Sequence, residues 1–263
     1  MSVYVMGDIH GCFDELQHIL KQINLSGEDK LYLVGDYIDR GEQSRRVLEW
    51  LEKCPSNVFP IKGNHDLEFA QGIALMKQID VSAELETDYD SIEDSKNLYD
   101  TTRYAIKGRD SHMLEHFDHY DTIRKMIEEG KIPFSKLQEW ASMLVSYPFY
   151  YRFLFGDRDC VVVHAGYMEA LSPEDDDLES FYIYAREEAI QDGGIEHGLI
   201  IAGHNPTIYN DYIFYNEGKI FSYYNKEKDC RFLDIDCGRA YRNIDARGKL
   251  ACIRLDDEEV FYY

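Results

Sequence analysis

The chain has 263 residues, enough for one large α/β domain with a full core or for two small ones, and we expect one domain over residues 1–263. Its 44% hydrophobic and 30% charged residues are typical of a globular protein. With 28 basic and 50 acidic residues the formal net charge is −22, which makes the chain a poor candidate for binding long nucleic acid, because that function needs many Lys and Arg contacts to phosphate.

Segments that would direct the chain to a membrane or an oxidising compartment are not recognised in the sequence. The amino terminus does not resemble a signal peptide, and no apolar stretch is long enough to cross a bilayer, so we expect a cytoplasmic protein without a membrane partner. The six cysteines are scattered without a CxxC pair, which favours reduced and mostly buried thiols over a disulfide framework. The oligomeric state stays open.

The first 66 residues are predicted to alternate strands and helices. Residues 2–6, 30–34 and 57–61 are short, mostly apolar runs rich in strand formers. Apolar residues recur at helical spacing at residues 16–23 and again at 47–51. This alternation predicts a parallel sheet whose strands are joined by right-handed crossovers.

Each of these three strands runs into a loop that carries Asp, His or Asn beside glycine. The loops are "GDIHG" at residues 7–11, "GDYIDRG" at residues 35–41 and "KGNHD" at residues 62–66. One such loop could be an ordinary turn, because Asp and Gly are turn residues. Open α/β sheets collect their ligands at the carboxyl ends of the strands, so three such loops together indicate a site.

Residues 67–133 are polar and acidic, with helical fragments near residues 67–79 and 111–129 and few strand formers. We interpret this segment as a helical, cap-like insertion, and insertions of that kind beside a catalytic face set substrate choice. His112, His116 and His119 would share one helix face. An exposed or capping histidine face is favoured there over a third metal site, because no carboxylate-bearing loop surrounds these residues.

Regular structure is predicted again after the insertion. We expect helices at residues 135–145 and 178–190 and strands at residues 149–155, 160–163 and 199–201. The last sixty residues are predicted to form short strands with turns, at residues 212–215, 219–224, 231–236, 249–255 and 260–263. The whole order of elements indicates an α/β protein with a two-layer sheet core and helices outside.

Two further strand-ending loops, "VHAG" at residues 163–166 and "AGHNP" at residues 202–206, complete a set of five. Imidazole and carboxylate together suit Mn²⁺, Fe or Zn²⁺, whereas an all-oxygen set would indicate Ca²⁺ or Mg²⁺. One carboxylate can bridge two cations about 3.5 to 4 Å apart, and such pairs promote in-line displacement at phosphorus. The five loops carry Asp8 and His10; Asp36 and Asp39; Asn64 and His65; His164; and His204.

The motifs "GDIHG", "GDYIDRG", "KGNHD", "VHAG" and "GHNP" resemble the signature of the calcineurin-like metallophosphoesterases. The resemblance is greatest to the phosphoprotein phosphatase branch, which includes bacterial and phage serine/threonine phosphatases and the symmetrical diadenosine tetraphosphatases, because "DRG" is specific to that branch. It implies the metallophosphoesterase type of two-layer sheet core flanked by helices. The "IDCG" at residues 235–238 resembles the closing strand and turn of the family.

The resemblance also implies a role for individual residues. His65 would be the general acid that protonates the leaving oxygen, Asp39 would orient it, and Arg40 would bind phosphate. Two cations, Mn²⁺ first with Fe or Zn²⁺ as alternatives, would acidify a bridging water so that hydroxide attacks phosphorus directly. The metal ligands would be Asp8 and His10 for the first ion, Asp36 as the bridge, and Asn64, His164 and His204 for the second.

Some positions extend the family pattern or depart from it. Arg186, in "IYAREEAI" at residues 183–190, would be a second phosphate clamp, the alternative being an ordinary surface arginine on a helix. Lys62 stands where an arginine is common, and its point charge would bind phosphate more loosely than a planar guanidinium. Asn64 is also assigned to phosphate binding. Tyr37 either touches substrate or packs in the core, and Asp66 and Cys237 receive no catalytic role.

We therefore predict a phosphomonoesterase with two metal ions, and first of all a serine/threonine protein phosphatase acting on phosphorylated protein. The alternative is a symmetrical bis(5'-nucleosyl)-tetraphosphate hydrolase, which would share the metal site and differ in what the cap admits. A catalytically dead module that binds phosphate is the hypothesis from another class. It is disfavoured because every expected ligand is present.

Overall fold

Two mixed β-sheets of five strands each are seen in the computed structural model of the protein, which describes residues 1–107, 117, 121–169 and 178–263. The first sheet has the order β10-β9-β1-β2-β3 and the second β4-β5-β6-β8-β7. The predicted α/β fold with a two-sheet core is thereby confirmed. The strands are β1 (Val3–Met6), β2 (Lys30–Leu33), β3 (Val58–Pro60), β4 (Tyr150–Phe155), β5 (Arg158–Val163), β6 (Gly198–Ala202), β7 (Phe221–Asn225), β8 (Cys230–Asp234), β9 (Ala251–Arg254) and β10 (Val260–Tyr262).

The inner strands of both sheets are parallel, as the alternation of strands and helices predicts. β1 pairs with β2 and β2 with β3 in the first sheet, and β5 pairs with β6 and β6 with β8 in the second. The chain then closes each sheet with antiparallel neighbours, because β9 returns beside β1 and β7 returns beside β8. Six parallel strands therefore send their carboxyl ends into loops.

The described helices cover the outer faces of the two sheets. In α1, the buried residues Leu16, Ile19 and Ile23 follow the helical period and join the core of the first sheet. None of the described helices is both long and apolar enough to span a bilayer. The helices are α1 (Phe13–Ile23), α2 (Ser44–Leu51), α3 (Asn64–Ser82), α4 (Ile92–Ile106), α5 (Thr122–Glu128), α6 (Phe134–Ser146), α7 (Leu178–Tyr184), α8 (Glu188–Gln191) and a 3₁₀ helix (Arg239–Tyr241).

Alternation along the strands divides the core into layers. Val3 and Val5 of β1 lie between the sheets, in one cluster with Val162 of β5 and Ile201 of β6. Their neighbours on β1 point the other way, and Met6 packs under the helices of the first sheet. Because successive side chains of a strand face opposite sides, one strand supplies both layers. The order of layers is helices, sheet, sheet, helices.

The prediction of a strand at residues 212–215 is wrong. The segment forms successive turns, in which Tyr212 N donates to Tyr209 O at 3.1 Å and Tyr215 N donates to Tyr212 O at 3.0 Å. Its alternation of aromatic and aliphatic residues resembles a strand. Only Phe214 is anchored in the second core, edge to face with Phe221 at 5.3 Å between ring centroids.

The helix predicted at residues 178–190 is interrupted. α7 ends at Tyr184 and α8 begins at Glu188. The Ala185 carbonyl at the break accepts a hydrogen bond from Asn205 Nδ2 at 3.2 Å. A side chain distant in the sequence thus donates to a carbonyl that, in a continuous helix, would accept a hydrogen bond from the backbone of the next turn.

The insertion at residues 67–133 is mainly helical where it is described. It contains most of α3 and the whole of α4 and α5. Helix α4 was not predicted from the sequence. Ser91 caps it, because Ser91 Oγ accepts a hydrogen bond from Asp94 N at 3.2 Å. His112, His116 and His119 lie outside the described residues. The single domain, the cap role of the insertion and the cytoplasmic location stay predictions.

Candidate active site

Loops from both sheets meet where the six parallel strands end. Each site side chain follows its strand within a few residues, and α3 begins at Asn64 itself, so the third loop passes directly into a helix. Parallel strands bring their carboxyl ends to one edge, which explains why residues far apart in the chain come together. The side chains are Asp8 after β1, Asp36 after β2, Asn64 after β3, His164 after β5, His204 after β6 and Asp236 after β8.

The loops hold unusual backbone conformations. His10, Asp36, Asp39, Arg40 and His204 have positive φ values of 43°, 53°, 67°, 64° and 70°. Residues other than glycine rarely adopt this region, and such strain concentrates at functional sites. Hydrogen bonds between loops maintain it, among them His10 N to Asp36 O at 2.8 Å.

Two glycines let carboxylates approach the backbone closely. A Cβ on Gly63 would lie 2.2 Å from Asp36 Oδ1, and a Cβ on Gly203 would lie 2.0 Å from Asp8 Oδ1. Any larger residue would therefore displace a carboxylate. The glycines of "GNHD" and "AGHNP" are required by this close approach.

Asp36 lies at the centre of the site. Its Oδ2 is 3.4 Å from His10 Nε2, and its Oδ1 is 3.5 Å from His164 Nε2. Two groups of buried ligand atoms share this carboxylate, one with His10 and His65 and the other with His164 and His204, and within each group the atoms lie within 4.8 Å of one another. A shared carboxylate between two such groups suits a pair of neighbouring cations.

Hydrogen bonds orient the imidazoles of these groups. His10 Nδ1 donates to Ile38 O at 2.8 Å, and His164 Nδ1 donates to Val34 O at 2.7 Å, so each keeps Nε2 toward Asp36. Backbone carbonyls bound to the second ring nitrogen are how proteins fix metal-ligating histidines. Burial lowers the pKa of His10, His164 and His204, which favours the neutral imidazole that ligates metals.

Asn64 joins the second group through its side-chain oxygen. Asn64 Oδ1 is 3.1 Å from His164 Nε2 and 3.0 Å from His204 Nδ1. Its Nδ2 donates to Glu68 Oε1 at 3.3 Å, one helical turn along α3. Glu68 therefore selects the amide oxygen to face the two histidines.

Buried negative charge accumulates around the groups. Burial, then Asp236 and Asp36, raise the pKa of Asp8 well above its usual value, and burial raises the pKa of Asp236 to about 6. Asp8 belongs to neither group of ligand atoms. Its Oδ2 accepts from His204 N at 3.1 Å, and its buried Oδ1 has no hydrogen-bond partner among the described residues. Divalent cations would offset this charge, so the residues fit a metal pair.

His65 forms a separate pair with Asp39. His65 Nδ1 donates to Asp39 Oδ2 at 2.7 Å, and an Arg40 Nη2 lies 3.1 Å from His65 Nε2. Burial lowers the pKa of His65, but the charge of Asp36 and the hydrogen bond that His65 donates to Asp39 outweigh the effect of burial, and the net pKa of His65 is raised. A raised pKa allows the Nε2 of His65 to carry a proton closer to neutral pH, as a general acid requires.

Two arginines border the site on its exposed side. Arg40 and Arg186 are both exposed. Arg186 Nη1 donates to Asn205 Oδ1 at 3.0 Å, and Asn205 follows His204 in the sequence. The interruption between α7 and α8 contains Arg186, so the side chain does not lie on a regular helix face. Both arginines therefore border the buried histidines, and their predicted role in binding phosphate stays a prediction.

The structure places Lys62 and Tyr37 elsewhere. The Lys62 ammonium donates to Val145 O at 2.8 Å and lies 4.3 Å from the centre of the Phe149 ring, which does not support the predicted phosphate contact. A lysine ammonium can bind a carbonyl oxygen and the face of an aromatic ring instead of phosphate. The position of Lys62 in the motif therefore does not determine where its side chain points. Tyr37 is fully buried and donates to Ile61 O at 2.6 Å, which excludes contact with substrate.

Other residues of the site were not assigned by sequence reasoning. Asp66 accepts from the backbone N–H groups of Asp36 at 2.9 Å, Gly63 at 2.8 Å and Tyr37 at 3.0 Å, and so fastens the second loop to the third. Asp66 stands three residues after Gly63, the N-cap of α3, and an acidic residue at that position indicates a carboxylate that accepts from the backbone of the cap. Asp236 follows a strand and precedes a glycine by two residues, which is also the pattern of the predicted loops.

Replacing Glu68 with Ala is expected to weaken binding of the second divalent ion roughly tenfold, since partners that orient metal ligands contribute at that scale. Glu68→Gln keeps an acceptor for Asn64 Nδ2 and should bind close to the wild type. Calorimetric titration of the metal-stripped proteins with Mn²⁺ measures both. Unchanged affinity in Glu68→Ala would show that the Asn64 amide needs no support.

Comparisons with known proteins show the family of the chain. The family model described as calcineurin-like phosphoesterase matches residues 1–217. A segment of 80 residues is 42% identical to the symmetrical bis(5'-nucleosyl)-tetraphosphatase of Actinobacillus pleuropneumoniae serotype 3 (strain JL03), and 87 residues are 40% identical to the enzyme of that name in Vibrio campbellii (strain ATCC BAA-1116). These matches cover 30% and 32% of this chain, and the same shares of the relatives' own lengths.

Solved structures resemble the whole fold. A metallophosphoesterase from Sphaerobacter thermophilus superposes with a TM-score of 0.52 at 16% identity, covering 100% of this chain and 87% of the other. A protein provisionally named a diadenosine tetraphosphatase superposes with a TM-score of 0.55 at 17% identity, covering 100% and 92%. At these identities the likeness concerns the fold alone.

Proposed function

The chain belongs to the calcineurin-like phosphoesterase family, as its motifs predict, and we propose that it is a metal-dependent hydrolase that cleaves dinucleoside polyphosphates symmetrically. The observation that carries the hydrolase assignment is Asp36, a carboxylate shared by two groups of buried ligand atoms beside the His65–Asp39 pair. The names of the curated relatives support the dinucleotide substrate. This reverses the order from the sequence analysis, which placed a serine/threonine protein phosphatase first.

The metal ions would be held by Asp8, His10, Asp36, Asn64, His164 and His204. When bound, two divalent cations supply Lewis acidity and lower the pKa of water. The mixture of imidazole, amide and carboxylate suits Mn²⁺, with Fe and Zn²⁺ as alternatives. In the protein itself, Asp36 lies between the two groups and fixes their separation. Asp66 holds the loop around Asp36 through three hydrogen bonds, which it accepts from the backbone N–H groups of Asp36, Tyr37 and Gly63.

The remaining side chains bind the phosphate chain and move a proton. Arg40 and Arg186 would bind non-bridging oxygens, because both residues are exposed and border the buried histidines. Asp39 accepts from His65 Nδ1 and so leaves the second proton position on Nε2. His65 would deliver that proton to the oxygen of the departing nucleoside diphosphate.

A comparison of substrates tests the proposal. Metal-stripped protein reloaded with Mn²⁺ is offered diadenosine tetraphosphate, a phosphoserine peptide and p-nitrophenyl phosphate, and we expect kcat/KM for the dinucleotide to exceed that for the peptide by at least about 100-fold. The metal-stripped protein serves as the control. A preference for the peptide would restore the protein phosphatase. Bound metal without turnover of any of the three would indicate a phosphate-binding module.

A further inference from the structure

We propose that Tyr209, Tyr212 and Tyr241, here called the tyrosine strip, stack a planar aromatic group attached to the bound phosphate, and that this group is a nucleobase. The nucleobase identity rests on the proposed function, whereas the aromatic subsite rests on geometry alone. None of the three residues belongs to the motifs that carry the metal and phosphate chemistry. The strip would therefore determine which phosphate compound is accepted.

The tyrosine strip connects the two phosphate arginines through ring contacts. The Arg40 guanidinium carbon lies 4.7 Å from the centre of the Tyr241 ring, and the Arg186 carbon lies 5.8 Å from the centre of the Tyr212 ring. Tyr209 lies between them, with its ring centre 5.1 Å from that of Tyr241 and 5.4 Å from that of Tyr212. A continuous line of five side chains thus borders the site.

The backbone carries the strip on loops that also bear site residues. Tyr209 N donates to the carbonyl of Pro206 at 3.4 Å, and Pro206 stands two residues after His204. Tyr241 N donates to the carbonyl of Gly238 at 3.0 Å, and Gly238 stands two residues after Asp236. Thr207 N donates to Asp236 O at 2.9 Å and ties the two loops together. The rings are consequently held beside the site by short connections.

Filling the core does not explain these rings. Tyr212 is 41% exposed, and Tyr209 and Tyr241 are half-buried, whereas the same segment anchors itself in the core with the fully buried Phe214. Aromatic side chains bind nucleobases by stacking, and this stacking tolerates any base because every base has a π-face. The arginines would bind phosphate at the same time, so a nucleotide satisfies both halves of the arrangement.

A matched pair of ligands isolates the contribution of the base. AMP and ribose 5-phosphate carry the same phosphate and sugar and differ in adenine. Calorimetric titration of the Mn²⁺-loaded protein should show AMP binding about tenfold tighter than ribose 5-phosphate, from stacking of one base. In Tyr212→Ala the ratio should fall toward one, and in Tyr212→Phe it should be kept, because the ring remains.

Tyr223→Ala is the matched control, since Tyr223 is 39% exposed and lies on the edge strand β7. Its ratio should equal that of the wild type. The inference is overturned if AMP binds no tighter than ribose 5-phosphate, if neither binds, or if Tyr212→Ala leaves the ratio unchanged. The assay needs no turnover, so its outcome is separate from the choice of substrate. A protein that prefers the phosphopeptide yet binds AMP tenfold tighter keeps the aromatic subsite and loses the proposed function.

Discussion

Replacing Asp36 with Asn is expected to abolish metal-dependent turnover, by a factor on the order of 10³ or more. Asp36 lies within 3.4 Å of His10 and 3.5 Å of His164, so one substitution removes a charged ligand from both metal groups. The variant should also bind less metal. Turnover of diadenosine tetraphosphate and metal content by mass spectrometry of the purified protein measure the two effects.

Asp39→Asn is the control, because Asp39 lies three residues away in the same loop and is equally buried. Asp39 contacts His65, at 2.7 Å, and belongs to neither metal group. The variant should therefore keep its metal and lose activity through His65 alone. Wild-type activity in Asp36→Asn, or equal metal loss in both variants, would contradict the assignment of Asp36 as the bridge.

Replacing His65 with Gln is expected to slow hydrolysis of an alkyl phosphate by about 10²- to 10⁴-fold, the usual contribution of a general acid. Hydrolysis of p-nitrophenyl phosphate should slow far less, by roughly tenfold at most, because its leaving group is weakly basic and hardly needs a proton. The ratio of the two rates is the measurement. It separates proton donation from a general loss of structure, which would slow both reactions alike.

His18→Gln is the control for this variant, since His18 is exposed on α1 and should leave the ratio unchanged. The nitrogen of His65 also lies in the ligand group with His10 and Asp36, so metal content must be measured in parallel. Equal losses on both phosphates together with a missing ion would assign His65 as a ligand. That outcome would overturn its role as the acid.

Much of the fold follows from local patterns. β1, β2 and β3 lie within the predicted runs because apolar strand formers end at glycine-containing loops, and α1 and α2 follow the apolar period. The segment at residues 212–215 shows the limit of this reasoning, since its alternating apolar residues form turns. The interruption between α7 and α8 coincides with a long-range contact, the hydrogen bond from the Asn205 side chain to the Ala185 carbonyl, which no local pattern contains.

The sequence by itself determined which residues could carry the chemistry, because each predicted ligand stands within a few residues of the end of a strand and the strand order brings those positions to one edge. It also determined the family, through motifs that the match over residues 1–217 confirms. Only the tertiary structure decided where side chains with several partners point. It turned Lys62 to Val145 and buried Tyr37, and it brought Tyr209, Tyr212 and Tyr241 into one line. Such directions depend on contacts between distant segments, which the order of residues along the chain does not specify.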